Sequence, residues 1–207
     1  MPATSVKNLI FDLGGVILDL SVDHTLQAFS KLSGIGKGDV QKIFNTSPGF
    51  ELYEKGVITD LAFRDFVREV YRIQADNKAI DESWNAMLRG IPMAKLDLLK
   101  RLRLEYNVYL LSNTNGIHLG YINQVMMPEI TGEDSLTPYF HKAYYSHLMG
   151  KRKPDAEIFE QVLDENGLLP EQTLFLDDNA SNVAGASALG IQTVHVTSSN
   201  LILEYFS

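Results

Sequence analysis

The rhythm of apolar and polar positions divides the 207-residue chain into three stretches. Leu9-Ile10-Phe11 is apolar without alternation and breaks at Asp12 and Gly14-Gly15 before a second apolar stretch ending near Leu20. An unalternating run of this kind fits a strand buried on both faces, as in a parallel sheet. From residue 20 to about 90 the period is helical. Leu26, Phe29 and Leu32 predict a helix over 24–32, and a short second helix follows over 40–44, closed by Pro48-Gly49. Thr59 is placed to cap a longer helix through Tyr71, and Asp81 a fourth containing Trp84, Met87 and Leu88 that stops at Gly90.

After residue 91 helix and strand signals alternate. Helices are expected over 94–104 and 116–126, with loop over 128–138, and strands over 107–111 and 142–146. Pro154 suits the first turn of a helix running to Gly167. A strand over 173–176, a small-residue helix over 180–189 and a strand over 193–196 complete the pattern. Alternation of this sort implies right-handed βαβ units. The expected fold class is therefore α/β: a core with a parallel sheet, built in two pieces from residues 1–19 and 91–207. A helical-bundle cap, residues 20–90, interrupts it after the first strand.

Composition narrows the chemistry. A net charge of −8 argues against a phosphate-backbone partner, so nucleic acid is not expected. The absence of cysteine excludes disulfides, thiol catalysis and thiolate metal sites. Residues 1–7 lack the basic start and apolar run of a signal peptide, and no run approaches a membrane span. A cytoplasmic protein without a membrane partner is the expectation, either monomer or homodimer.

Four polar clusters fall at strand ends or helix starts: Asp12, Ser112-Asn113, Lys153 and Asp177-Asp178. Singly, each reads as well as turn chemistry, a solvated lysine or a helix cap. Jointly, parallel strands would bring them to one sheet edge, where open α/β folds bind ligands. Their types suit phosphoryl transfer to a carboxylate. Asp12 can attack phosphorus and split hydrolysis into two easier steps. Asp178, with Asp177 as a further candidate, joins Asp12 and the Gly14 carbonyl in an all-oxygen set suited to Mg²⁺. The Ser112 hydroxyl and the Asn113 amide can bind phosphoryl oxygens, and Lys153 balances their charge.

These motifs resemble those of the haloacid dehalogenase-like hydrolase superfamily with a helical cap of the first type. The correspondence runs through Phe11-Asp12-Leu13-Gly14-Gly15-Val16, Leu110-Leu111-Ser112-Asn113, Lys153-Pro154-Asp155 and Phe175-Leu176-Asp177-Asp178-Asn179. The resemblance implies that the α/β core is a Rossmann-like three-layer core, and that the chain is a Mg²⁺-dependent phosphatase of a small phosphorylated metabolite, with Asp12 as nucleophile, Ser112 and Lys153 on the phosphate, and a cap that closes over the substrate and selects it. It departs at Gly14, where most phosphatases of this superfamily carry a second Asp as general acid and base. A branch of small bacterial sugar-phosphate phosphatases, similar to the alpha-D-glucose-1-phosphate phosphatases, also has Gly there, and an anomeric leaving group needs less protonation. Two other readings compete: a lapsed enzyme that binds phosphate or a partner, and a metal-free 2-haloacid dehalogenase. The acidic pair argues against the latter, because a metal-free site gains nothing from another buried carboxylate. In the cap, His24, Glu51, Tyr53 and Glu54 could face the cleft, and Trp84 fits cap packing.

Overall fold

Strand β1 (Asn8–Phe11) is the centre of the sheet: all four of its residues are buried, and Leu9, Ile10 and Phe11 are apolar on both faces. The computed structural model describes residues 6–207. The start of the expected core segment and most of the stretch read for a signal peptide therefore lie outside the described residues. β1 is flanked by β4 (Asn107–Ser112) and β6 (Thr173–Asp177), with β5 (Lys142–Tyr145) and β7 (Gln192–His195) at the edges. The order β5-β4-β1-β6-β7 is parallel throughout. Side chains alternate between two clusters. Leu9, Phe11, Leu110, Leu174 and Leu176 pack on one face, Ile10, Leu111 and Phe175 on the other. Helices α6 (Met93–Leu102) and α12 (Leu201–Tyr205) cover the first face. Helices α10 (Ala156–Asn166) and α11 (Ala180–Ala188) cover the second. The fold is an α/β, Rossmann-like three-layer core carrying a helical cap.

The inserted block holds five helices where four were expected: α1 (Val22–Ser33), α2 (Lys37–Thr46), α3 (Gly49–Glu54), α4 (Asp60–Tyr71) and α5 (Asn77–Asn85). They share an aromatic core in which Phe29, Phe50, Tyr53, Phe63, Tyr71 and Trp84 are buried. Thr59 caps α4 as expected, its side chain accepting from Ala62 N. The α5 cap is not Asp81 but Asp76, which accepts from Ala79 N. Asp81 lies inside α5 and takes a two-pronged bond from Arg64 at 2.8 Å on each oxygen. Nor does α5 run to Gly90. Leu88–Gly90 is a strand, β3, pairing antiparallel with β2 (Asp19–Leu20), so the chain enters and leaves the insertion side by side.

Two further corrections concern prolines. Helix α7 (Gly116–Tyr121) continues through a π turn, Ile122–Met126, into α8 (Met127–Thr131), where loop was expected. Pro128 lacks an amide hydrogen and crowds the carbonyl four residues back, and the widened turn just before it is where the helix admits it. Pro154 precedes α10 instead of lying within it, following a cis peptide bond from Lys153, and Asp155 is the N-cap position. The short α9 (Ser146–Met149) follows β5. No helix among the described residues is long and apolar enough to cross a membrane.

Candidate active site

Register fixes the first coincidence. Phe11 pairs with Leu110 on one side and Leu176 on the other, so Asp12 emerges level with the ends of β4 and β6. The Asp12 N–H still donates to Leu176 O at 2.9 Å, which holds the residue in line with the strand while its carboxyl turns to the sheet edge. Three of the predicted clusters thus come from adjacent strands.

Lys153 completes the site from the loop before α10. Its side chain is fully buried, and its ammonium donates to Asp12 Oδ1 (2.6 Å), Asp177 Oδ2 (2.6 Å) and the Leu111 carbonyl (2.8 Å). All three donors are used. Burial works against the lysine's charge, but the facing Asp12 and Asp177 carboxylates outweigh it and raise its pKa. For Asp12 burial dominates. It pushes the carboxyl up to about 7 against the pull of Lys153, and Asp177 and Asp178 add to the rise.

The two predicted acidic neighbours have different jobs. Asp177 is fully buried. Its Oδ1 accepts from Asn179 N (2.8 Å) and Asn182 Nδ2 (3.1 Å), and its Oδ2 from Lys153 and Asn182 Nδ2 (3.0 Å). That carboxylate is satisfied without any metal, so its burial does not speak against metal-free chemistry as the sequence argument held. The weight moves to Asp178, which is exposed and whose pKa is raised by partial burial and by Asp177. Oxygens of Asp12, Asp177 and Asp178 all lie within 4.8 Å of one another. Gly15 makes room for this. Its φ is +75°, and a Cβ there would fall on the Asp178 carboxylate. Gly14 is under no such constraint, since a Cβ would meet only the flexible Leu20 side chain at 3.3 Å.

Ser112 is buried at the end of β4. Asn113, predicted through its backbone amide, has a second task in its side chain. Oδ1 accepts from Lys153 N and Nδ2 donates to Lys153 O, both at 2.9 Å, clamping the lysine's backbone. Sequence reasoning missed this clamp and the Asn182 contacts. Asn182 lies in the helix after the acidic pair, five residues past Asp177, but nothing local marks which side chain it meets.

A cavity of about 160 Å³ opens between insertion and core beside these residues. Gly14, Ser112 and Asn113 line it from the core; Leu20, Phe44, Trp84 and Leu88 supply apolar wall. His118 also lines it, stacked on Trp84 at 4.8 Å with 8° between planes, and burial holds its pKa down to about 3. Of the cap candidates, Glu54 reaches the cavity. Tyr53 is buried against Phe63, Glu51 pairs with Lys55, and exposed His24 bonds Ser21.

Residues 6–190 match the haloacid dehalogenase-like hydrolase family. A D-ribitol-5-phosphate phosphatase of Bacteroides thetaiotaomicron is 33% identical over 190 residues, 91% of this chain and 90% of that protein. A sesquiterpene phosphatase of Aspergillus oryzae is 29% identical, covering 95% and 92%. Among solved structures, a family enzyme of Bacteroides thetaiotaomicron in complex with magnesium and inorganic phosphate superposes with a TM-score of 0.82 at 41% identity, covering 91% and 93%.

Proposed function

The chain belongs to the haloacid dehalogenase-like hydrolase family, and from that premise we propose that it hydrolyses small phosphorylated metabolites, sugar phosphates foremost, through an aspartyl-phosphate on Asp12. It is a phosphoric monoester hydrolase whose cofactor is Mg²⁺. The observation that carries the reading is the Asp12 carboxylate, set by Lys153 at the carboxyl end of the central strand with Asp178 beside it.

The donor set fits the ion. Three carboxylates face one ammonium, an excess of negative charge in a site of hard oxygen donors. Asp12, Asp178 and the Gly14 carbonyl would hold Mg²⁺, while Asp177 acts through Lys153. When bound, the ion offsets the repulsion between carboxylate and phosphate. Asp12 attacks phosphorus as the ester oxygen departs. The Ser112 hydroxyl and the Asn113 N–H donate to phosphoryl oxygens, and the Lys153 ammonium keeps the nucleophile aimed and its charge balanced.

The leaving group is a matter of the cavity. At about 160 Å³ it is below the usual range of roughly 300–1,000 Å³ for ligand sites, which favours a small alcohol. The relative that acts on ribitol 5-phosphate supports a polyol, and its ester is not anomeric, so support reaches the sugar-phosphate class and not the glucose-1-phosphate branch. The apolar wall of Leu20, Phe44 and Leu88 favours a second reading, an apolar alcohol, which the sesquiterpene phosphatase relative also suggests. Phosphate release from polyol, sugar and short alkyl phosphates, with Mg²⁺ or with chelator, tests both. Metal-dependent release lost in Asp12→Asn is expected; release that persists in that variant would remove Asp12 as nucleophile.

A further inference from the structure

Gly14 leaves the site without the carboxyl that most phosphatases of this superfamily place two residues past the nucleophile. A polyol or alkyl ester cannot depart readily as a bare alkoxide, and a positioned acid contributes roughly 10²–10⁴-fold. A proton source is therefore owed by some other group. Among the titratable side chains lining the cavity, His118 is held neutral by burial and its Nδ1 is engaged 2.9 Å from Asn85 Oδ1. The remaining candidate is a carboxyl.

We propose that Glu54, presented by the last residue of cap helix α3, is the general acid and base of the reaction in place of the carboxyl that Gly14 lacks. The proposal rests on the phosphatase reading above. Glu54 lines the same cavity as Gly14, Ser112 and Asn113. It is held to the core at both ends. Its carbonyl accepts from Ser146 Oγ at 2.6 Å, and that hydroxyl accepts in turn from the N–H of Thr114, two residues past Ser112. Its carboxyl Oε2 accepts from Arg152 Nη2 at 2.9 Å, the residue before Lys153. Among the described residues nothing hydrogen-bonds Oε1, so one oxygen is free for a substrate. A cap residue tied to both the Ser112 loop and the lysine loop is held in a fixed place at the cavity wall, as a proton donor must be.

The electrostatics agree with this placement. Burial raises the Glu54 pKa, the Arg152 guanidinium opposes the rise, Glu51 adds to it, and Lys153 opposes it again. A carboxyl whose pKa is lifted from the ordinary range holds its proton closer to neutrality, which is what an acid catalyst requires. In the first step the Asp12 Oδ–P bond forms as the P–O bond to the leaving group breaks, and the departing oxygen takes the proton from Glu54. In the second step the Glu54 carboxylate takes a proton from water as that water attacks phosphorus. The Asp12 Oδ–P bond breaks, phosphate leaves, and both carboxyls are restored.

The competing account is that Glu54 and Arg152 merely latch cap to core, and leaving-group dependence separates the two. p-Nitrophenolate departs without a proton, whereas the alkoxide of glycerol 3-phosphate does not. With Mg²⁺ present, Glu54→Gln should form the phosphoryl-enzyme from p-nitrophenyl phosphate at close to the wild-type rate, seen as a burst of nitrophenolate. From glycerol 3-phosphate, formation should slow by roughly 10²-fold or more, and breakdown of the intermediate should slow in both cases. In the wild type, phosphoryl-enzyme formation from the glycerol ester should fall as pH rises through a limb above the ordinary carboxylate range, and Glu54→Gln should lack that limb. Equal slowing of formation from both esters, reproduced by Arg152→Gln, would show a latch and overturn the proposal. Undiminished formation from glycerol 3-phosphate in Glu54→Gln would overturn it as well. Failure of the phosphatase reading itself looks different: no metal-dependent release from either ester by the wild type.

Discussion

Replacing Lys153 by Met keeps the length and apolar stem of the side chain but deletes a fully buried cation. In the wild type that ammonium is shared by Asp12, Asp177 and the Leu111 carbonyl. Removing one partner of a buried ion pair costs about 3–5 kcal/mol, because the other charge stays behind without compensation. The orphaned carbonyl adds to this, about 1–3 kcal/mol for an unsatisfied buried acceptor. The two do not simply sum, since a carboxyl can recover by binding a proton. The pKa of Asp12, already raised to about 7, makes that recovery accessible near neutrality. An acid whose pKa is raised in the folded state makes folding more favourable as pH falls. The deficit of Lys153→Met should therefore shrink on acidification, by up to roughly 1.4 kcal/mol per pH unit for each proton the variant binds beyond the wild type. The assay is urea unfolding of both proteins in chelator at pH 8 and pH 6. About 3–5 kcal/mol lost at pH 8 and visibly less at pH 6 is expected. A loss below about 1 kcal/mol at pH 8, or one insensitive to pH, would refute Lys153 as the buried counter-charge of the pair.

Other variants probe separate parts of the same site. His118 is depressed to about 3 by burial, so stability should be complete above its unfolded value and decline as pH falls below about 6.5, by roughly 1.4 kcal/mol per pH unit; unfolding of His118→Asn from pH 7 to 5 should show a shallower slope, and an unchanged slope would clear the residue. Gly15→Ala would push a methyl group into the Asp178 carboxylate and should raise the Mg²⁺ concentration needed for half-maximal turnover; an unchanged metal titration would remove Asp178 from the ion's coordination. Asn113→Ala removes both bonds that clamp the Lys153 backbone, at about 0.5–1.5 kcal/mol each, and should lower kcat as well as stability, so normal kcat would limit the clamp to folding.

What could be read in the sequence follows from what a side chain reports locally. Leu9-Ile10-Phe11, the apolar part of 107–111 and residues 173–176 announce buried strands because both faces must be apolar, whatever lies beyond. Spacing alone starts helix α5 five residues too late, because Asn77-Lys78-Ala79 offers no large apolar side chain and Ile80 is the first residue to carry the period. Asp81 then looked like a cap, although its partner Arg64 is seventeen residues away and invisible to spacing. β2 and β3, two and three residues long, are too short to show any period. At the site, chain order and residue type located Asp12, Ser112, Lys153 and the acidic pair. They could not tell that Asp177 holds the lysine and Asp178 does not, because the two differ only in the direction the chain turns after β6. Glu54 stood among four cap residues expected near the cleft, and spacing could not single it out, because its relation to Gly14 exists only through the cavity.

The insertion meets the core along the segment that follows Ser112-Asn113. Asn115 Oδ1 caps α7 by accepting from His118 N at 3.0 Å and also accepts from Trp84 Nε1 at 3.2 Å. Tyr53 accepts from Ile117 N at 3.0 Å and donates to Asp60 at 2.7 Å, and the Ile117 side chain belongs to the cap's own apolar cluster. Ser146 ties Thr114 to Glu54. Residues 114–118 are thus built as much from the cap as from the sheet. Without the cap, the backbone N–H of Ile117 would lose Tyr53 and the Asn115 side chain would lose Trp84, and water would have to take their place. The loop that carries Ser112 and Asn113 therefore depends on cap contacts for its shape. The segment after Asp12 is steadied instead by Lys153 and by the strand pairing of Asp12. The proposed acid Glu54 and the proposed phosphate ligands Ser112 and Asn113 are thus joined through one five-residue segment, residues 114–118, whose first member Thr114 is tied to Glu54 by Ser146.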